Sequence, residues 1–151
     1  MNNITIFGFP AWYEKLKKIE LLKSTLDSVV KIYGQPVEPK GDVVRKFETP
    51  EGNLNISLST GKCGTEYKKG YDVDAGIVER ITFFVKEKFR VKPKKLGFDL
   101  SKFEKFEVRD VPGIYTYENS DDGIFFGTDK RGLVDELDFQ PASEFDDLYC
   151  K

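Results

Sequence analysis

The first apolar pattern along the chain has helical spacing. Within the stretch from Pro10 to Leu22, Trp12, Leu16 and Ile19 fall at positions i, i+4 and i+7. Proline suits the first turn of a helix, and residues at this spacing share one helix face. The pattern therefore predicts a first amphipathic helix over 10–22.

A second helix is predicted directly after it. Ser24 can cap its start, with Asp27 at the capping-box position, and Gly34 followed by Pro36 is typical of a helix end. One face of this helix carries the apolar residues Leu26, Val29, Val30 and Tyr33.

The period then changes to two, which predicts strands. In 54–59, Leu54, Ile56 and Leu58 alternate with polar residues, and a turn at 49–53 separates them from a shorter run at 44–48. This pattern indicates a hairpin with one buried face. A long loop carrying Cys63 follows, and a third strand is predicted over 76–85.

A shorter block repeats this order. One or two helical turns are predicted over 99–106, followed by strands over 113–118, 124–127 and 132–141. The segments 76–83 and 132–139 share one polarity pattern over eight residues, although two amphipathic strands can be alike by chance. We expect an α+β fold of two related helix-plus-antiparallel-sheet units, 1–96 with the cysteine loop and a shorter 97–151, sharing one core.

Charge adds little to this picture. The 151 residues carry a formal net charge of −2, which gives no overall field to attract nucleic acid. A basic run over 86–95 is interpreted as a solvated strand face leading into a loop at Pro93, with a basic binding patch as the alternative. No segment is apolar enough to span a bilayer, and Met1 to Pro10 lack the pattern of a secretion signal.

The chain has no histidine, which removes the commonest general base and most zinc sites. Gly61-Lys62-Cys63-Gly64 lacks the spacing of a phosphate loop, and the segment 72–79 has an incomplete set of calcium ligands. We therefore predict no catalytic residue, no metal and no cofactor.

The chain has two cysteines, one in a loop-like stretch and one beside the C-terminus. These positions favour a disulfide between Cys63 and Cys150, and with it an extracytoplasmic location. The alternative is two unpaired thiols in a cytosolic protein.

Several aromatic residues fall outside the periodic strand positions. Tyr and Trp in exposed loops commonly anchor protein interfaces. The candidate interaction residues are Trp12, Tyr13, Tyr67 and Tyr71. The alternative for Tyr67 and Tyr71 is simple packing within their loop.

The run from Trp12 through Ser24-Thr25-Leu26-Asp27-Ser28-Val29, followed by Gly34-Gln35-Pro36, resembles the helical opening of small bacterial envelope proteins with the BamE-like fold. The whole chain is similar to uncharacterised secreted or lipoprotein-like bacterial proteins with a cysteine-bearing loop and a cysteine near the C-terminus. A doubled unit of this kind also resembles β-lactamase inhibitor protein. These resemblances imply two helices on a small antiparallel sheet and a concave protein-binding surface.

The function expected from these observations is a non-catalytic extracytoplasmic module that binds another protein through its sheet face and cysteine loop. An inhibitor that uses a concave sheet face is the alternative, and an enzyme of unknown class is the third possibility.

Overall fold

Antiparallel strands form one continuous sheet in the computed structural model, which describes residues 8–37, 43–64 and 70–151. The described strands are β1 (Val44–Glu48), β2 (Gly52–Leu58), β3 (Val78–Val85), β4 (Glu104–Glu107), β5 (Tyr115–Asn119), β6 (Ile124–Thr128) and β7 (Val134–Phe139). Their spatial order is β1-β2-β3-β7-β6-β5-β4. Two meanders therefore meet where β3 pairs with β7, and the expected strands of both blocks are confirmed.

The first helix, α1 (Ala11–Leu16), is shorter than the expected 10–22. The chain leaves the helix and reaches Leu22 in the left-handed region, at φ 63°. The Leu22 N–H then donates to the Val78 carbonyl at 2.8 Å, which ties this turn to β3. Ile19 is nevertheless buried, at 6% exposure, so the apolar spacing identified a core position outside the helix.

The second helix, α2 (Leu26–Tyr33), is capped by Thr25 and not by Ser24. The Thr25 hydroxyl accepts from the Ser28 N–H at 3.2 Å, and the Ser28 hydroxyl accepts from the Thr25 N–H at 3.0 Å. The predicted pairing of Ser24 with Asp27 is wrong because the Ser24 hydroxyl accepts from the Glu20 N–H instead. Gly34, at φ 82°, ends the helix as expected.

Both helices pack against one face of the sheet, where the apolar residues of the alternating strands point. Trp12 stacks on Phe83 with ring centroids 5.3 Å apart, and Val29 is fully buried. The same cluster continues through Phe98 and Phe126, which stack at 4.9 Å. One group of buried side chains therefore draws on both 1–96 and 97–151.

The second block differs from the expected helical turns over 99–106. Leu100–Lys102 forms a short 3₁₀ helix, and Glu104–Glu107 is the edge strand β4. β4 forms because its backbone pairs with β5, from Glu104 opposite Glu118 to Glu107 opposite Tyr115. The α-helices among the described residues therefore belong to the first block alone.

Candidate binding groove

An open groove lies beside α1. The end of α2 and the segment that follows β3 also border it. Its volume is about 980 Å³. The large apolar residues that line it are Phe9, Trp12, Ile32, Phe89 and Val91. We call this surface the α1 groove.

The wall formed by 86–91 is held at both ends by backbone hydrogen bonds. The Lys86 N–H donates to the Glu51 carbonyl and the Val134 N–H donates to the Val91 carbonyl, each at 2.8 Å. Between these anchors, Glu87–Phe89 forms a turn of 3₁₀ helix. The expectation of a strand face over 86–92 is therefore wrong, since β3 ends at Val85 and the turn carries half-buried Phe89 to the groove.

Charged side chains form the rim of the α1 groove, and most of them are cationic. The cationic residues are Lys15, Lys18, Lys31, Lys88 and Arg90, and the carboxylates are Glu14 and Glu51. The lining thus has a formal charge of +3 in a chain whose net charge is −2.

Three of these cations already have a partner, and the Lys88 ammonium lies over the Phe89 ring, 6.0 Å from its centroid. The Lys15 ammonium lies over the Tyr33 ring, 4.6 Å from its centroid. The Arg90 guanidinium lies 3.3 Å from the Asp129 carboxylate and also donates to the Val85 carbonyl at 3.0 Å. Across 8–37, 43–64 and 70–151, no carboxylate lies within ion-pair distance of Lys18, Lys31 or Lys88.

Asp129 fixes Arg90 from outside the groove. Burial would raise the pKa of Asp129, but hydrogen bonds from the Leu133 and Arg131 N–H groups and from Arg90 lower the pKa below its ordinary value. The carboxylate is therefore charged at neutral pH and holds the Arg90 head group in place.

Trp12 and Tyr13 are not available as exposed interface anchors, which corrects the expectation from sequence. They are 6% and 5% exposed because Trp12 stacks on Phe83 while Tyr13 packs edge-on against Phe9 at 5.4 Å. Burial, with a smaller effect of Glu14, raises the pKa of Tyr13 to about 12. Both rings are core residues, and Trp12 reaches the groove only as part of its floor.

The expected disulfide between Cys63 and Cys150 is confirmed, with Cα atoms 5.5 Å apart. The chain beside it is tied to the tail, because the Cys150 N–H donates to the Gly70 carbonyl at 2.7 Å. Tyr71 is half-buried and packs edge-on against exposed Tyr149, with centroids 5.2 Å apart. Tyr67 lies outside the described residues.

The sheet face opposite the helices is open and mostly polar. A shallow depression of about 330 Å³ lies over β5, β6 and β7, with Arg80, Phe125 and Glu136 among its lining residues. Arg80 is paired with Asp138, with Nε 2.9 Å from Oδ1. Burial, then the neighbouring carboxylates of Asp135 and Asp138, raise the pKa of Glu136. Phe84 is 42% exposed on the same face.

The described part of the chain contains no cluster of three or more carboxylate or cysteine side chains that could hold a metal ion. Among the same residues, no helix has the length and apolar character needed to cross a bilayer.

The α1 groove could not be found from local sequence. The run over 86–95 gave one signal, the alternative of a basic patch, and Lys88 does lie on the rim. Lys18 and Lys31 lie far from the run 86–95 in sequence and reach the rim of the groove only through tertiary packing. The apolar floor gave no separate signal, since residues such as Ile32 and Phe89 look like ordinary core positions.

Comparison with known proteins adds a distant likeness. Neither protein-family profiles nor curated proteins match the chain. Among solved structures, the chain is similar to a DUF4309 family protein (YjgB) from Bacillus subtilis subsp. subtilis str. 168. The two share 14% sequence identity at a TM-score of 0.49, over 85% of this chain and 91% of that chain.

Proposed function

We propose that this protein is a non-catalytic, extracytoplasmic binding module that docks another protein in the α1 groove. The observation that carries the proposal is an open concavity with an apolar floor and a cationic rim, where Lys18, Lys31 and Lys88 have no carboxylate partner among the described residues. Protein interfaces typically have an apolar centre surrounded by a polar rim. Half-buried Ile32 and Phe89 supply apolar area that a partner can cover.

The extracytoplasmic location is supported by the disulfide between Cys63 and Cys150. Disulfides persist in oxidising compartments and are rare in the reducing cytosol. The bond closes the C-terminal tail onto the loop that precedes β3, so the stability of the fold depends on oxidation.

We also propose that the two halves are related units of BamE-like type. Each half contains an antiparallel meander, β1–β3 and β5–β7, and the meanders pair through their last strands. Each meander has a register shift at the same place, at Ser57/Leu58 and at Gly127/Thr128, where the middle strand meets the start of the last. Matching irregularities are more specific than matching polarity, because β-bulges are local features tied to the sequence.

An inhibitor that uses the open sheet face is the second candidate. It is supported by exposed Phe84 and by the depression beside Phe125, which could receive a side chain from an enzyme. This surface lies on the opposite face of the sheet from the α1 groove, so the two candidates can be separated.

Site-specific photo-crosslinking in the native host cells tests the proposal. A photoreactive phenylalanine analogue replaces Ile32 in the groove, Phe84 on the open face, or Arg109 as a control. Arg109 is suitable because its side chain is 96% exposed and lies outside both surfaces. We expect one discrete protein adduct, identified by mass spectrometry, from position 32 only.

An adduct from position 84 alone would favour the inhibitor. No adduct, or the same adducts from all three positions, would contradict a protein-binding module.

A further inference from the structure

We infer that the α1 groove takes an acidic segment of a partner protein, with carboxylates placed beside an aromatic or aliphatic anchor. This inference rests on the proposed function and names the chemistry of the occupant. It follows from two properties of the same surface, its excess of positive charge and its apolar floor.

Three of the groove's positive charges are available to a partner because no carboxylate of the described residues neutralises them. Lys18, Lys31 and Lys88 are exposed, and no carboxylate of the described residues pairs with them. They come from three elements: the turn after α1, α2 itself, and the 3₁₀ turn after β3. A bound segment would therefore meet cations on more than one side, which favours carboxylates and gives the complex a salt-dependent association rate.

The apolar floor of the groove favours a ligand that also carries an apolar side chain. Phe9, Ile32, Phe89 and Val91 line the groove and are half-buried, so each keeps surface that a ligand can cover. Binding energy in protein interfaces is concentrated in a few anchors that enter such pockets, surrounded by weaker polar contacts. An aromatic or aliphatic residue flanked by Asp or Glu satisfies both floor and rim.

Other anionic occupants fit less well. Nucleic acid presents a dense row of phosphates, while Glu14 and Glu51 stand in the lining and the chain is acidic overall. A fatty acid or lipid gains most from an enclosed apolar cavity, whereas the α1 groove is open to solvent. An open groove suits an extended or helical peptide segment.

The test selects peptides of about 12 residues, a length that suits an open groove, from a random displayed library against the full-length oxidised protein. Selected sequences are synthesised, and their Kd is measured by fluorescence anisotropy. We expect enrichment of Asp or Glu next to Phe, Trp, Tyr or Leu. Raising the salt concentration from about 0.05 M to about 0.5 M should weaken binding, because screening removes the interaction between exposed charges.

Charge-reversal variants then locate the site. Lys31→Glu and Lys88→Glu should each raise Kd about tenfold or more, a size seen for interfacial charge pairs. Lys46→Glu is the matched control, because Lys46 is exposed on the opposite face of the sheet and the change in net charge is identical. It should change Kd less than about twofold, as expected for a charge remote from the site. Thermal unfolding confirms that each variant is folded.

The outcomes separate the inference from the proposed function. One outcome would overturn the acidic occupant and leave a peptide-binding groove. In it, the selected peptides lack carboxylates, and Ile32→Asp weakens their binding while the lysine variants do not. Absence of any selected peptide, or peptides that map elsewhere, would overturn both.

Two further measurements address other occupants. Titration with oleate tests for an anionic lipid, and sedimentation of the protein alone tests for a second copy of the chain. Oleate that binds the groove when no peptide does would assign it to an anionic lipid. A stable dimer that Lys88→Glu dissociates would assign it to a second copy of this chain.

Discussion

Asp129 organises the turn between β6 and β7. Its carboxylate accepts from the Arg131 and Leu133 N–H groups at 2.9 and 3.1 Å and pairs with Arg90 at 3.3 Å. Removing the charge while keeping the shape leaves these donors with a weaker acceptor. At neutral pH, we expect Asp129→Asn to lower the free energy of unfolding by about 1 kcal/mol.

The effect of Asp129→Asn should depend on pH. Since the folded state lowers the pKa of Asp129 from its ordinary value of 3.8, its stabilisation is present above that value and is lost as the pH falls through the folded pKa. Urea unfolding of both proteins at pH 7 and at about pH 3 measures the difference. A difference that stays constant on acidification would contradict this role.

Alanine substitutions at Gly123 and Gly132 separate the cost of backbone strain from the cost of a steric clash. Both have positive φ, 70° and 77°. A Cβ on Gly123 would collide with the Gln140 carbonyl, whereas a Cβ on Gly132 meets nothing within 4 Å. We expect Gly132→Ala to cost about 1 kcal/mol from strain alone and Gly123→Ala more than about 3 kcal/mol, because backbone would have to move. Equal losses in chemical denaturation would show that the close approach is unimportant.

At the scale of elements, α2 depends on its cap. Thr25→Ala removes the side-chain acceptor of the Ser28 N–H and should lower stability by about 1 kcal/mol. Thr25→Ser keeps the hydroxyl and should change stability by only a few tenths of a kcal/mol. Thermal unfolding of the two variants distinguishes loss of the cap from a general sensitivity of the site. Similar losses in both would argue against the capping box.

Strands were predicted well where burial imposes a strict alternation. Leu54, Ile56 and Leu58 are all buried as their spacing requires, since a sheet with one covered face allows no other register. Helix ends were predicted less well. The capping rules indicated Ser24, whereas Thr25 caps α2 in the structure. After α1, the chain is tied to β3 by the long-range bond from Leu22 to Val78, which local patterns do not reveal. The segment 86–92 has strand-like alternation, but it does not continue β3. Its ends are held by hydrogen bonds from the Lys86 N–H to the Glu51 carbonyl and from the Val134 N–H to the Val91 carbonyl.

For the molecule as a whole, the disulfide joins residues 87 positions apart. In the chain-entropy model, such a link restricts the unfolded state enough to stabilise the fold by about 4.6 kcal/mol. The variant Cys63→Ser/Cys150→Ser, or the reduced protein, should lose stability of this order in urea unfolding. Mass spectrometry of the native protein should find no free thiol. Two reactive thiols would contradict the bond and remove the support for an extracytoplasmic location.

The candidate site illustrates what sequence patterns cannot supply at this scale. Trp12 and Tyr13 were expected at an interface because they are aromatic residues outside the periodic strand positions, yet the fold places both rings in the core. Lys31 and Lys88 come together only because α2 and the turn after β3 flank the same groove. Aromatic residue type indicates a capacity for contact, while exposure is decided by tertiary packing.

The most direct test of the α1 groove is an NMR titration of the isotopically labelled protein with an acidic, aromatic peptide selected from the library. We expect the amide shifts to concentrate at Lys31, Ile32 and Phe89, which line the groove. The amides of Asn55 and Phe84, whose side chains lie on the opposite face of the sheet, should stay in place. Shifts confined to the opposite face would contradict the account and assign binding to the open sheet surface.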